Sequence, residues 1–335
     1  MKKFRFIKTV LLVGMIAVLV FSIAEAGEKK VKIAVPFGAP ITDGDFNTLA
    51  YIALQEVSKK YNVESAYSER VAVPDMERVI KEYINDGFNL IWVHGSEFVG
   101  TVKKFGPKFP DVSFIIEIDA KPEKMLPNFF YMNRQFYVPK YPFGHLAALT
   151  TKTGKIGYIV GMDLPLYRGE INAITQGIRD AGSDASLTYA FVGAWYNPVK
   201  ARQATEGLIA KDCDVIICSL SLGLHGAISA IRQSGKPVYF TAFHTDKSAL
   251  LPANYLSADL TNFSQGLDQI VAKKLKGEKN GYVRLDYGKG KGRYNQFPIH
   301  NVSKEINAKV QKVADDLAAG KIKVVKNFKD LPPMK

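Results

Sequence analysis

From Val31 onward, short runs of β-branched and apolar residues alternate with longer stretches whose apolar residues recur every three to four positions. A strand, a helix and a second strand make a βαβ unit, and units in series make a parallel sheet covered by helices on both faces. The first series has strand-like runs at Ile33 to Val35, near Val63, at Leu90 to Val93 and at Ser113 to Ile118. Between them lie a helix from about Asp45 to Lys60 and another through Met76, Ile80 and Tyr83 that Gly87 stops. Aromatics crowd Asn128 to Tyr141, which reads as a core strand followed by a turn marked by proline. The pattern restarts at Lys155, with strands at Ile156 to Val160, Leu187 to Val192, Val215 to Cys218 and Val238 to Thr241. Two series of similar size imply two α/β lobes with a cleft between them, at about residues 27–150 and 151–260. Residues 261–335 would then supply crossovers and closing elements, and multiple crossings make a hinge.

The first 26 residues read as an export signal. Lys2, Lys3, Arg5 and Lys8 precede an apolar run from Thr9 to Ala24, and Ala24-Glu25-Ala26 has the small-x-small form of a cleavage site. A run of sixteen residues is short of the ~20 that span a bilayer, so cleavage after Ala26 is expected over anchoring. The first cysteine is Cys213, so no lipid-bearing cysteine follows the cut. Cys213 and Cys218 flank one strand and are too far apart along extended chain to pair, which leaves two buried thiols. The net charge of +13 loses four positive residues and one negative on cleavage, leaving +10. Those charges are spread over helices and a lysine-rich tail (Lys321, Lys323, Lys326, Lys329), without the aromatic-interleaved pattern of a nucleic-acid surface.

An open parallel sheet presents its ligand residues just past the carboxyl ends of its strands. In the first series those residues are Phe37, the Asp43 to Asn47 turn, His94, Ser96, Glu97 and Asp119; in the second they are Gly161, Trp195, Ser219, Phe243, His244 and Asp246. Aromatic faces (Phe37, Phe46, Trp195, Phe243) would stack on a flat molecule, while Asp43, Asn47, Ser96, Glu97, Ser219, His244 and Asp246 would hydrogen-bond its edge. Asp43, Ser96 and Asn197 also suit helix caps, and each aromatic also suits a core. No nucleophile elbow, phosphate loop, zinc helix or cofactor motif is present. Gly288 to Arg293 is Gly-rich and basic, but no βαβ unit follows it. His94 and His244 with Asp246 are the one combination with metal or acid-base potential, and a lone histidine more often serves a pocket.

Asp43-Gly44-Asp45-Phe46-Asn47, Thr153 to Gly157, Arg168-Gly169-x-Ile171-Asn172-Ala173 and Trp195-Tyr196-Asn197-Pro198 occur in an order that resembles the basic membrane protein family of ABC-importer substrate-binding proteins. That resemblance spans Lys32 to about Lys276. It implies a type I periplasmic two-lobed fold, a purine base or nucleoside as ligand, stacking by Phe46, an ABC permease as partner, an extracytoplasmic monomer, and no cofactor or catalysis. The chain departs from the nucleoside receptors at Phe37, where they carry an aspartate. It departs again at His244, where their ribose-binding aspartate stands, so the resemblance implies a free base or another flat heterocycle. The readings set against it are a sensory module for a membrane kinase, a sugar receptor, and an enzyme using His244 with Asp246.

Overall fold

The computed structural model describes residues 30–325. The expected export segment with its cut after Ala26, and Lys326 and Lys329 of the tail, lie outside the described residues.

The first sheet begins with β1 (Lys32–Pro36), β2 (Glu64–Ser68), β3 (Leu90–Val93), β4 (Ser113–Ile118) and β5 (Phe129–Asn133). The second begins with β6 (Lys155–Val160), β7 (Ser186–Phe191), β8 (Val215–Ser219), β9 (Tyr239–His244) and β10 (Tyr255–Thr261). Two short late strands, β11 (Gly281–Arg284) and β12 (Arg293–Asn295), complete them. The sheet orders are β11-β5-β4-β3-β1-β2 and β12-β10-β9-β8-β6-β7. Every pairing is parallel except β12 with β10, which is antiparallel. The central strands carry near-continuous apolar runs because helices cover both faces: all of Leu90, Ile91, Trp92 and Val93 are buried. In each sheet the strand order reverses next to the first strand of the series, between β1 and β3 and between β6 and β8, and the carboxyl ends there open a crevice.

The helices are α1 (Phe46–Tyr61), α2 (Met76–Asn85), α3 (Val99–Phe105), α4 (Lys140–Thr150), α5 (Pro165–Asp180), α6 (Pro198–Ala210), α7 (Leu224–Ser234), α8 (Ser264–Leu275) and α9 (Lys304–Ala318). Asn197 caps α6 by accepting from the Lys200 amide at 3.0 Å, and Ser303 caps α9 by accepting from the Ile306 amide at 3.2 Å. Helix α8 lies against α1, where Leu267, Ile270 and Val271 share one core with Ala50, Leu54 and Val57. Helix α4, expected within the first lobe, instead packs Phe143, Leu146 and Ala147 against Ile156, Tyr158 and Ile171 of the second. The lobes therefore part at the segment 134–139 and not at residue 150. Cys213 and Cys218 are buried free thiols, and burial pushes them up to about 11 and about 12.

Three segments cross between the lobes: 134–139, 262–263 and 285–292. Each reaches the second lobe beside one buried ion cluster. Lys140, the first residue of α4, has its Nζ 3.1 Å from Asp259 Oδ2 and 3.8 Å from Glu170 Oε2. Arg293, the first residue of β12, donates to Asp259 Oδ1 and, at 2.8 Å, to Thr261 Oγ1. Asp259 and Thr261 stand at the end of β10, where the second crossing begins. A low-dielectric cluster of this kind holds all three hinge strands in one register.

Candidate functional site

Between the two sets of strand ends lies a narrow cleft with about 30 Å³ of free space, lined by Phe46, Ser96, Glu97, Arg134 and Phe136 on one side and Tyr167, Trp195, Tyr196, Ser221, Phe243 and His244 on the other. A wider hollow of about 230 Å³ lies between β12 and α9, and none of the expected site residues reaches it.

The first-lobe wall rests on a buried charge network. Phe37 continues β1 by one bridge to His94 and is 0% exposed, so it packs beneath the cleft and not in it. His94 Nδ1 is 2.5 Å from Glu117 Oε1, and its other nitrogen is 3.2 Å from the Phe46 carbonyl. Its ring lies flat against Phe46, with centroids 3.9 Å apart and planes 20° apart. One face of Phe46 is thus held from behind. Glu117 also accepts from Trp92 Nε1 at 3.0 Å and from Arg134 Nη1 at 3.2 Å. Burial alone would raise the Glu117 carboxyl, but His94 and Arg134 outweigh it and hold it below its ordinary range. Arg134 further donates to Ser96 Oγ at 2.9 Å and Asp119 Oδ2 at 2.7 Å. Burial would weaken its charge, yet Asp119 and Glu117 raise its pKa, so the guanidinium stays ionised. Glu97 is open to the cleft, and the surrounding wall still raises its carboxyl above the ordinary value by desolvation.

The second-lobe wall is aromatic. Trp195 lies across the end of β6 where residue 161 has no side chain: a Cβ there would stand 2.3 Å from Trp195 Cδ1. Its Nε1 donates to Tyr167 Oη at 3.0 Å. Phe243 and His244 have ring centroids 3.6 Å apart, and Lys140 Nζ sits 4.1 Å from the Phe243 centroid. Phe136, on the first crossing, lies between two guanidinium groups, Arg134 at 4.2 Å and Arg293 at 4.4 Å. His244 is 3% exposed, adopts φ +68°, and has Nδ1 3.0 Å from Thr261 Oγ1. Burial, followed by the charges of Arg293, Lys140, Lys247 and Arg134, drives its pKa well below the usual histidine value, so the ring is neutral at pH 7.

The lobes are hydrogen-bonded across the cleft mouth. Asn47 Nδ2 donates to Tyr196 Oη at 2.9 Å, and the Gly44 carbonyl accepts from Thr245 Oγ1 at 3.1 Å and Lys247 Nζ at 3.0 Å. Beside them Asp45 is 1% exposed, neither carboxylate oxygen has a hydrogen-bond partner among the described residues, and Lys247 Nζ stands 4.0 Å away.

Of the expected residues, Phe46, Ser96, Glu97, Trp195, Phe243 and His244 meet in the cleft. The others stand elsewhere. Asp43 caps α1 from outside it, accepting from the amides of Asp45, Asn47 and Thr48 at 2.9–3.1 Å. Asn47 is committed to Asp43 and Tyr196. Ser219 is buried and donates to Glu170 at 2.8 Å. Asp246 turns toward the Ser248 amide and Gln296, each at 2.7 Å, and does not meet His244. Arg134, Phe136 and Tyr167 line the cleft without having been singled out for it, and Tyr196 and Ser221, which also follow strand ends, line it beside Trp195 and the turn of Ser219. Arg134 directly follows a strand end, the same signal that marked Asp119.

The family model Bmp, ABC transporter substrate-binding protein PnrA-like, matches residues 30–323. The chain belongs to this family. The Bmp chain is 30% identical over 214 residues to a protein of Haloferax volcanii named as a glucose-binding protein of an ABC transporter, with 64% of this chain and 53% of that protein covered. The chain thus spans about half the length of that relative. It is 32% identical over 155 residues to a purine-binding protein of Brucella abortus, covering 46% of this chain and 43% of the relative. Among solved structures, an ABC transporter solute-binding protein of Aeropyrum pernix superposes with TM-score 0.73 at 16% identity, over 89% of this chain and 94% of that one. The expected fold class, two parallel α/β lobes of the type I periplasmic solute-binding kind, is the one observed.

Proposed function

We propose that this Bmp-family protein captures a flat heterocycle, a free purine base ahead of a nucleoside, and delivers it to the permease of an ABC importer. The observation that carries this reading is the pairing of aromatic faces across one cleft, Phe46 from the first lobe and Trp195 with Phe243 from the second. The space left in the cleft, about 30 Å³, is far below the about 300 to 1,000 Å³ of ligand pockets, so the lobes would have to part to admit a base. A sugar needs many outward-facing polar groups, whereas Arg134 is consumed by Glu117, Asp119 and Ser96. That favours the purine-binding relative over the glucose-binding one as a guide to ligand. The ligand would be stacked between lobes that close about the three crossings, and would stabilise the closed form only by its preference for it. No bond is made or broken. Export by cleavage after Ala26 and action as a monomer complete the proposal.

A thermal-shift screen of residues 27–335 against adenine, hypoxanthine, guanine, their nucleosides, pyrimidines and glucose tests it. A ligand in excess over its Kd must raise the melting temperature. Stabilisation by free bases at micromolar concentration is expected. Stabilisation by glucose with none by any base would replace the reading with a sugar receptor.

A further inference from the structure

Thr261 Oγ1 stands between two nitrogens, 2.8 Å from Arg293 Nη1 and 3.0 Å from His244 Nδ1. A guanidinium has only donors, so the hydroxyl accepts from Arg293. Its own hydrogen needs an acceptor, and His244 Nδ1 is the one within reach among the described residues. Leaving a buried hydroxyl hydrogen unpaired costs more than a hydrogen bond gains, so Thr261 donates to Nδ1. A neutral imidazole whose Nδ1 accepts carries its proton on Nε2. That nitrogen has no partner among the described residues, and His244 lines the cleft beside Phe46, with ring centroids 5.2 Å apart.

Arg293 is itself immobile. It pairs with Asp259, lies 4.4 Å from the Phe136 centroid, and is fully buried at the start of β12. The proton position on a cleft residue is therefore set from the hinge. Four cations around the ring, Arg293, Lys140, Lys247 and Arg134, oppose the alternative in which both nitrogens are protonated.

We propose that His244 is the specificity-determining donor of this cleft. Thr261, held by Arg293, locks its Nε2–H form, so the ligand must offer a ring nitrogen or carbonyl oxygen at that wall. Thr261 and Arg293 are positioning residues and touch no ligand. The ligand class rests on the heterocycle reading above; the proton assignment does not.

Long-range proton–nitrogen correlation spectra of the mature chain with 15N-labelled histidine test the assignment without any ligand, with the His244 signals identified by their loss in His244→Gln. The expected pattern at pH 7 is a pyrrole-type Nε2 and a pyridine-type Nδ1. In Thr261→Val that pattern gives way to a mixture, and Thr261→Ser retains it. A pyrrole-type Nδ1, an imidazolium, or a pattern unmoved by Thr261→Val overturns the proposal. Calorimetry with adenine and hypoxanthine then reads the consequence. Thr261→Val weakens binding about tenfold, Thr261→Ser restores it, and His244→Leu loses about tenfold more than His244→Gln, which keeps a donor at the same positive φ. Equal losses in His244→Leu and His244→Gln would overturn the donor role. If the spectra hold while neither base binds, the tautomer assignment stands and the purine reading has failed.

Discussion

Replacing Gly161 by alanine tests whether the position of Trp195 sets affinity. The added Cβ would stand 2.3 Å from Trp195 Cδ1, 2.5 Å from Nε1 and 2.6 Å from Cγ. Carbon atoms in contact stand about 3.5–4.0 Å apart, so either the strand or the ring must move by more than about 1 Å. The strand is pinned: Val192 and Gly193 donate to the carbonyls of Val160 and Gly161 at 2.9 and 2.6 Å. The indole is half-buried and tethered by one hydrogen bond, to Tyr167, which is worth about 1 kcal/mol. The ring therefore yields. Overpacking of this kind costs the fold about 1–3 kcal/mol. Displacing a stacking wall costs a bound base about 1–3 kcal/mol, or about 5- to 150-fold in Kd. Calorimetry with adenine and hypoxanthine measures the affinity, and tryptophan emission reports the ring itself. The chain has two tryptophans, and Trp92 is 0% exposed, so a change in emission belongs to Trp195. A folded Gly161→Ala protein with native emission and native affinity would refute the reasoning.

Three further outcomes are expected. Phe46→Ala should weaken base binding by about 1–3 kcal/mol in calorimetry while the circular dichroism of the lobe is kept; native affinity would remove Phe46 from the stack. Burial, offset in part by Lys247 and reinforced by Asp43, raises the Asp45 carboxyl well above its ordinary 3.8, so its favourable share of stability is full below that value and is lost as pH rises through the raised one. Melting temperatures of the native chain should therefore fall behind those of Asp45→Asn between pH 4 and 8, and a constant or reversed gap would refute that linkage. Lys140→Met leaves Asp259 and Glu170 short of a buried partner and should destabilise by about 3–5 kcal/mol in urea unfolding, whereas a loss below about 1 kcal/mol would mean that the cluster is not desolvated.

The architecture was largely legible because buried parallel strands write themselves as unbroken apolar runs. Leu90 to Val93 and Val215 to Cys218 could hardly be anything else in a chain of this rhythm. What the rhythm hides is where the chain changes lobes. Asn128 to Tyr141 reads as one aromatic stretch, yet Phe129 to Asn133 is an inner strand of the first sheet while Phe136 is a crossing residue held between two guanidinium groups. Helix α4 carries no mark of which sheet it covers. The strand-end rule found Phe46, Trp195 and His244, and misplaced residues whose local bonds compete with the cleft. Asp43 is drawn to the amides opening α1, Asp246 to the Ser248 amide two residues on, and Phe37 into one more bridge of the sheet. Such side-chain-to-backbone bonds cannot be weighed from residue type alone. Arg134 was missed although it directly follows a strand end, because nothing in residue type announces that Glu117 and Asp119 need a buried counter-charge.

The order in which this chain is made gives the crossings a further meaning. The core of the first sheet includes Phe263, Leu267, Ile270, Val271, Val283 and Leu285, and the second core includes Ile299 and Val310. Until those residues leave the ribosome, β5 has no outer neighbour, α1 has no α8 to cover it, and Asp259 has no Arg293. Neither lobe can finish as an independent early domain, and contacts spanning more than two hundred residues wait for the late segments. A chain ordered in this way leaves both lobes unfinished through most of its synthesis; under the proposed export, that is the interval in which it could still be threaded through a membrane as unfolded polypeptide.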